Sequence, residues 1–333
     1  MAYDDLADDV TNPFLGNVYH TLDHKVNVYP GATAHNYRQN TVTAESFYQV
    51  ISEAPTTEED YVYIYYDNHG GPGILGTPVG DYITTIPLDD ALNALRCKNC
   101  LFGIEACYSG SLAQEFTATK VATITAANDQ ESSYAAVYDP TLGTYLSNEF
   151  TNYWIDFVAE SPSQTVGQLF EDLKKNTEGS HVMYYGDESL KELTIDLFMG
   201  TPNKVQKRSA VKVASKDSQR VASEKTLSKL AAEHEKPTVR AKARLEILRR
   251  RAQTEKLDAV LDMLVKYLDP KNYEKIMSDK SAAYTPAYYE IVKIFSNRFG
   301  EINPDDFGRF FVLKALAASH PKNEIVKAIF AVL

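Results

Sequence analysis

The chain has 333 residues, 44% of them hydrophobic and 24% charged. That composition excludes disordered, collagen-like and membrane-spanning classes and leaves room for about two domains, each with its own core. The net charge of −11 hides an asymmetry: residues 1–203 carry 8 Lys and Arg against 29 Asp and Glu, residues 204–256 carry 16 against 6, and residues 257–333 carry 10 against 10. A basic block of this kind is either a solvated helical face or a segment that docks on the acidic half of its own chain. Nucleic acid would have to compete with that attached polyanion, so no nucleic-acid partner is expected.

In chain order, the opening MAYDDLADD is acidic and lacks the basic and apolar regions of a secretory signal. Thr43–Ala54 has the pattern of a short helix with Thr43 as its cap. Tyr61–Tyr66 is an aromatic and β-branched run, hence a strand, too short to span a bilayer. Asp67–Gly73 (DNHGGPG) is a loop imposed by Gly and Pro. Pro87–Arg96 is a helix with Pro in its first turn, Cys100–Ala106 a second buried strand, Leu112–Phe116 the start of a helix, and Val121–Ala127 a third strand. Helices are expected at 147–160 and 163–175, and a last short strand at His181–Tyr185. Strands alternating with helices imply an α/β fold with a mainly parallel sheet flanked by helices. This first domain covers residues 1–200. Residues 201–237 read as a basic linker with nascent helix. Residues 238–333 read as an all-α bundle, with helices at 240–251, 254–268, 282–298, 304–319 and 321–333.

The three cysteines, Cys97, Cys100 and Cys107, are too few for a disulfide framework. Cys97-x-x-Cys100 is half of a zinc motif with no second half, and Cys100 opens an apolar strand where a packed thiol is the usual occupant. Neither metal nor cofactor is called for. Chemistry concentrates where two strands end: one delivers His69 to a Gly-rich loop, another delivers Cys107 to a Gly/Ser turn. Both ends lie on the edge where open α/β sheets place ligands. A Cys–His pair is the minimum equipment for nucleophilic acyl transfer, because imidazole can take the thiol proton. Glycines at 70 and 110 would let backbone N–H groups approach a developing oxyanion. Taken singly, His69 also suits an ordinary loop and Cys107 ordinary packing.

The segments Asn68-His69-Gly70-Gly71-Pro72-Gly73 and Glu105-Ala106-Cys107-Tyr108-Ser109-Gly110-Ser111 resemble the two catalytic motifs of the legumain (asparaginyl endopeptidase) family of caspase-like cysteine peptidases. Tyr3-Asp4-Asp5, Thr125–Asn128, Glu131–Tyr134, Thr144–Leu146, Trp154 and His181–Met183 before Tyr185-Gly186 continue the resemblance through nearly all of residues 1–200. The helical remainder is similar to that family's prodomain in position and length. The resemblance implies hydrolysis of peptide bonds after Asn, and after Asp at lower pH, in a lysosome, a vacuole or outside the cell. It makes Cys107 the nucleophile and His69 its partner, with the N–H groups of Gly70 and Cys107 as oxyanion hole. Glu105 and Ser132 would line the pocket for the residue before the scissile bond (P1). Its partners would be peptide substrates and the chain's own helical domain as an inhibitory cap.

Four departures stand out. The family's first strand, with an Asn that orients the histidine and an Arg of the pocket, precedes the Tyr-Asp-Asp motif and is missing here, which predicts an open sheet edge. Asn148 stands where the family pocket has Asp, which predicts weakened P1 selectivity. Asn68 replaces an Asp common in the family, and the helical part lacks the family's disulfide cysteines. An inactive paralogue serving as a binding module is the alternative reading. A glycosylphosphatidylinositol transamidase-type subunit is a third, and it would require a membrane span.

Overall fold

In the computed structural model of the protein, which describes residues 6–9, 12–29, 37–160, 163–201 and 217–333, the β-branched and aromatic runs form the strands. β1 (Tyr61–Asp67) leads into a small antiparallel excursion, β2 (Gly70–Gly71), β3 (Ile74–Leu75) and β4 (Ile83–Thr84). The chain then returns through β5 (Asn99–Glu105) and β6 (Val121–Thr125). β7 (Ala135–Asp139) and β8 (Thr144–Asn148) make a hairpin, and β9 (Met183–Gly186) joins the main sheet. That sheet has the order β1-β5-β6-β9. β1, β5 and β6 are parallel and β9 is antiparallel. The fold is therefore the expected α/β class with a mainly parallel sheet. Among the described residues no strand pairs with the outer edge of β1. The Tyr3-Asp4-Asp5 motif and residues 202–216 of the basic stretch lie outside the described residues.

Strand periodicity sorts the side chains onto two faces. Val62, Ile64, Tyr66, Cys100, Phe102 and Ile104 face α1 (Ala44–Ser52) and α2 (Thr85–Ala94). The thiols of Cys97 and Cys100 are buried in this layer, and burial pushes both pKa values up. Tyr61, Tyr63, Tyr65, Leu101, Ala122 and Ile124 face the opposite layer, which includes α4 (Glu149–Glu160), α5 (Val166–Asn176) and α6 (Ile195–Met199). A one-turn α3 (Gly110–Ala113) follows Cys107. Thr43 caps α1 as its position suggested, accepting from the Ser46 N–H, and Thr165 caps α5 through Gln168.

Three readings needed revision. The β7–β8 hairpin has no two-residue turn signal, and its second strand falls where a helix start was expected at 147; α4 begins only at Glu149. Residues 219–233, within the expected linker, form α7 (Gln219–Glu233); only Ala222 and Ala231 of it are buried, so its apolar stripe is nearly blank. The two helices expected at 240–251 and 254–268 are one, α8 (Pro237–Leu268), since no breaker separates them.

The helical part continues through α9 (Tyr273–Ser278), α10 (Pro286–Phe299), a 3-10 turn over Pro304–Phe310, α11 (Phe311–Ser319) and α12 (Lys322–Val332). Its core of Leu261, Val265, Tyr288, Phe295, Phe310, Leu313 and Ile329 also takes in Ile74 of β3, so the bundle packs directly on the β2–β4 excursion. Among the described residues no helix is long and apolar enough to cross a membrane.

Candidate active site

β1 and β5 are in register to their last residues, Asp67 opposite Glu105. The chain therefore delivers His69, two residues past β1, beside Cys107, two residues past β5. Both line one cavity of about 210 Å³, together with Gly70, Tyr108 and Ser132. Gly70 is required here: a Cβ at this position would lie 2.2 Å from the Cys107 carbonyl oxygen. Tyr108 takes a positive φ of 57°, rare for a bulky residue, which turns the chain sharply after Cys107. The turn is anchored on the end of β6. The Gly110 N–H donates to the Ala127 carbonyl at 3.0 Å, and the Ala127 N–H donates to Ser109 Oγ at 3.1 Å.

Burial governs the titration of the pair. Desolvation lowers the His69 pKa, against the pull of Asp305, and raises that of the Cys107 thiol. This arrangement therefore favours neutral thiol beside neutral imidazole. Asp305 comes from the helical part, with Oδ1 3.6 Å from His69 Nδ1 and Oδ2 2.9 Å from Arg250 Nη1. Burial raises its pKa more than those two partners lower it.

The other expected residues separate into two groups. Ser132 borders the Cys107 cavity. Glu105 is fully buried and accepts from the Thr151 N–H and hydroxyl, both at 3.2 Å. Asn148 lies on a neighbouring cavity of about 580 Å³ that Asp67, His69, Thr151 and Gln219 also border. Its amide nitrogen donates to Asp67 Oδ1 at 2.9 Å.

Five residues with evident roles here escaped the sequence reading: Asp67, Ser133, Thr151, Gln219 and Asp305. Gln219 is the most informative. Its stretch runs antiparallel to Ser133–Ala135: the Ala135 N–H donates to the Asp217 carbonyl at 3.1 Å, and the Gln219 N–H donates to the Ser133 carbonyl at 3.3 Å. The Gln219 side-chain amide donates to Ser133 Oγ at 3.1 Å and to Glu105 Oε1 at 3.4 Å. A segment of the chain itself thus makes a short antiparallel bridge beside Cys107 before it turns into α7, with a carboxamide reaching Glu105. Strand addition with side chains in pockets is how extended peptides are held. A carboxylate beside a serine was visible as a motif, but the occupant was not, because 217–219 carries no pattern of its own.

Comparison with known proteins places this arrangement in context. Residues 1–201 match the peptidase C13 family. The chain is 32% identical over 223 residues to mouse (Mus musculus) legumain, 60% of this chain and 50% of that protein. It is 31% identical over 221 residues to a hemoglobinase of Schistosoma mansoni, 61% and 51% respectively. To a vacuolar-processing enzyme of Citrus sinensis it is 29% identical over 231 residues, 60% and 46%. The chain thus spans about half the length of these relatives.

Proposed function

Since the chain belongs to the peptidase C13 family, we propose that residues 1–201 form a cysteine endopeptidase that hydrolyses bonds after Asn, and after Asp at lower pH, and that the helical part caps it. Cys107 Sγ gives its proton to His69 and attacks the scissile carbonyl carbon. The N–H groups of Gly70 and Cys107 receive the oxyanion. The tetrahedral intermediate collapses as protonated His69 returns the proton to the departing amine, leaving a thioester. Water, deprotonated by His69, then releases the acid and restores the thiol. A P1 carboxamide would sit where the Gln219 amide sits, against Glu105 and Ser133, with Ser132 beside the nucleophile.

The observation that carries this reading is the Asp217–Gln219 segment bridged to Ser133–Ala135 with its carboxamide at Glu105. It supports both an extended peptide as ligand and an amide as the preferred P1 group. It also supports latency. Gln219 opens α7, so its bond to Arg220 runs into a helix rather than extended across Cys107. Asp305 meanwhile sits against His69. The names legumain and vacuolar-processing enzyme carried by the relatives support an acidic lysosomal or vacuolar compartment as the site of action.

The test is incubation of the purified chain, before and after limited proteolysis of the 202–216 stretch, with fluorogenic peptides bearing Asn, Asp or Ala at P1 across pH 4–7. Cleavage confined to Asn and Asp, and lost in Cys107→Ala, is the expected result. No cleavage at any pH after processing would remove the enzyme reading in favour of a binding module.

A further inference from the structure

The pocket that receives the Gln219 amide has a second carboxylate that the motif reading did not anticipate. Asp67 ends β1 directly opposite Glu105, and the two acids are tied to one hydroxyl. Thr151 Oγ1 lies 3.2 Å from Glu105 Oε2 and 3.5 Å from Asp67 Oδ2, while Tyr65 OH holds that same oxygen at 2.7 Å. Asp67 faces the cavity that Gln219 borders. Asn148, where a carboxylate was expected, commits its amide nitrogen to Asp67 Oδ1.

Resting on the peptidase reading above, we propose that Asp67 is a specificity-determining residue of the P1 pocket: it supplies, with Glu105, the negative charge that selects a side chain ending in N–H donors, and Asn148 orients it rather than reading the substrate. A carboxamide offers two N–H donors: the Gln219 amide gives its own to Glu105 and Ser133, and a P1 amide that keeps the Glu105 bond can turn its other N–H to Asp67, whose Oδ1 keeps a lone pair beyond the one Asn148 occupies. Desolvation raises the pKa of both acids, and Asp67 adds its charge to the effect on Glu105. Two adjacent acids in such a site share negative charge rather than each holding a full one. The pocket then presents both an acceptor and, on the protonated acid, a donor, which together complement a carboxamide. An apolar P1 side chain would leave the remaining acceptor positions of the two acids unmet, at a cost. The carboxylate expected at the end of β8 is thus found instead at the end of β1, within hydrogen-bond reach of Asn148.

The experiment uses the full chain carrying Cys107→Ala, to stop turnover, and Gln219→Ala, to vacate the pocket. Binding of two peptides that differ only in P1, Asn against Ala, is measured by calorimetry. In this background Asp67→Asn, nearly isosteric and neutral, is expected to cut the Asn/Ala affinity ratio by about tenfold or more, the scale of one charge-assisted hydrogen bond. Ala-peptide binding should be unchanged, which a merely structural role would not leave intact. Adding Asn148→Asp to Asp67→Asn returns a carboxylate to the pocket from the other side and should restore the ratio to within about threefold. A ratio unmoved by Asp67→Asn, or a double variant no better than the single, overturns the proposal, as does absence of binding by either peptide. Turnover of the same peptides by the chain with Cys107 intact, after limited proteolysis of the 202–216 stretch, is scored separately. Asn-selective binding without turnover would sink the peptidase reading and leave Asp67 as the reader of the amide.

Discussion

A thiol earns nucleophilic character from its surroundings, and the three cysteines of this chain have different ones. Cys97 and Cys100 lie in the α1–α2 layer of the core, whereas Cys107 ends in a cavity shared with His69. After the cap is displaced, Cys107→Ala is expected to abolish both peptide cleavage and labelling by iodoacetamide, while Cys97→Ala and Cys100→Ala retain labelling within about twofold. Labelling that persists in Cys107→Ala would place the reactive thiol elsewhere. Glu105 supports a second prediction. Its carboxyl is raised by desolvation, with Asp67 adding to the effect. A raised acid contributes stability that is fully present below its unfolded value, near 4.3, and is lost as pH rises through the folded one. His69, lowered by burial, has the opposite sign: its contribution is present above its unfolded value and lost as pH falls. Glu105→Gln should therefore flatten the fall in melting temperature between about pH 5 and pH 9 and leave in place the acid limb, to which His69 and carboxylates held low by their partners, such as Asp139 and Glu246, contribute. Melting curves of the variant and the parent that stay parallel across that range would show that Glu105 is not the titrating group.

At the scale of elements, what could be read from the sequence follows from how each element is stabilised. β5 and β6 are buried on both faces and β1 is half-buried along its length, so their aromatic and apolar runs stand out, and His69 and Cys107 are legible because turn residues follow each run at once. Apart from its packing on α8, α7 is held by polar contacts from its first residue and from its middle. Its Gln219 binds Ser133 and Glu105, its Lys229 ammonium reaches the Pro140 carbonyl, and its Thr226 hydroxyl meets Thr144. No apolar periodicity announces contacts of that kind. Asp67 was read only as the start of a loop because its role depends on register with Glu105, a long-range fact. The anchoring of α7 is testable. Gln219→Ala removes the amide from the pocket while keeping helix propensity, so the full chain should show faster Cys107 labelling, by about five- to tenfold, the scale of one net hydrogen bond. An unchanged labelling rate would mean that Gln219 does not gate access to the thiol.

At the scale of the whole molecule, one reading of the charge asymmetry is that the basic block docks electrostatically on the acidic half. The contacts among the described residues are of another kind. Arg249 and Arg250 pair with Glu246, and Arg251 with Glu224, all inside the helical part. The contact itself is largely aromatic and closely fitted. Tyr288 donates to the Pro72 carbonyl, Tyr289 bonds the Thr85 hydroxyl at 2.8 Å, and Phe307 packs edge-on against Tyr82. Gly71 leaves the room that Phe307 fills, since a Cβ there would meet the Phe307 backbone oxygen at 2.7 Å. Lys293 with Asp81 crosses the contact at 2.8 Å, but both side chains are more than half exposed, and such pairs contribute little. Because apolar burial is not screened, raising salt from about 0.05 to 0.5 M, which shortens the Debye length from roughly 14 to 4 Å, should change Cys107 labelling of the full chain by less than about twofold. Phe307→Ala should raise it strongly: removing a buried ring costs about 3–5 kcal/mol, and a part of that cost falls on docking because the ring bridges the two cores. Both rates come from one labelling series followed by mass spectrometry, with circular dichroism to show that the variant keeps its helices. A chain whose thiol opens with salt and ignores Phe307→Ala would return the cap to electrostatics. The opposite pattern leaves acid acting at a few buried groups, His69 first among them. Its pKa is held down by burial, against the pull of Asp305, so taking up a proton disfavours this arrangement and favours any in which the imidazole is more exposed.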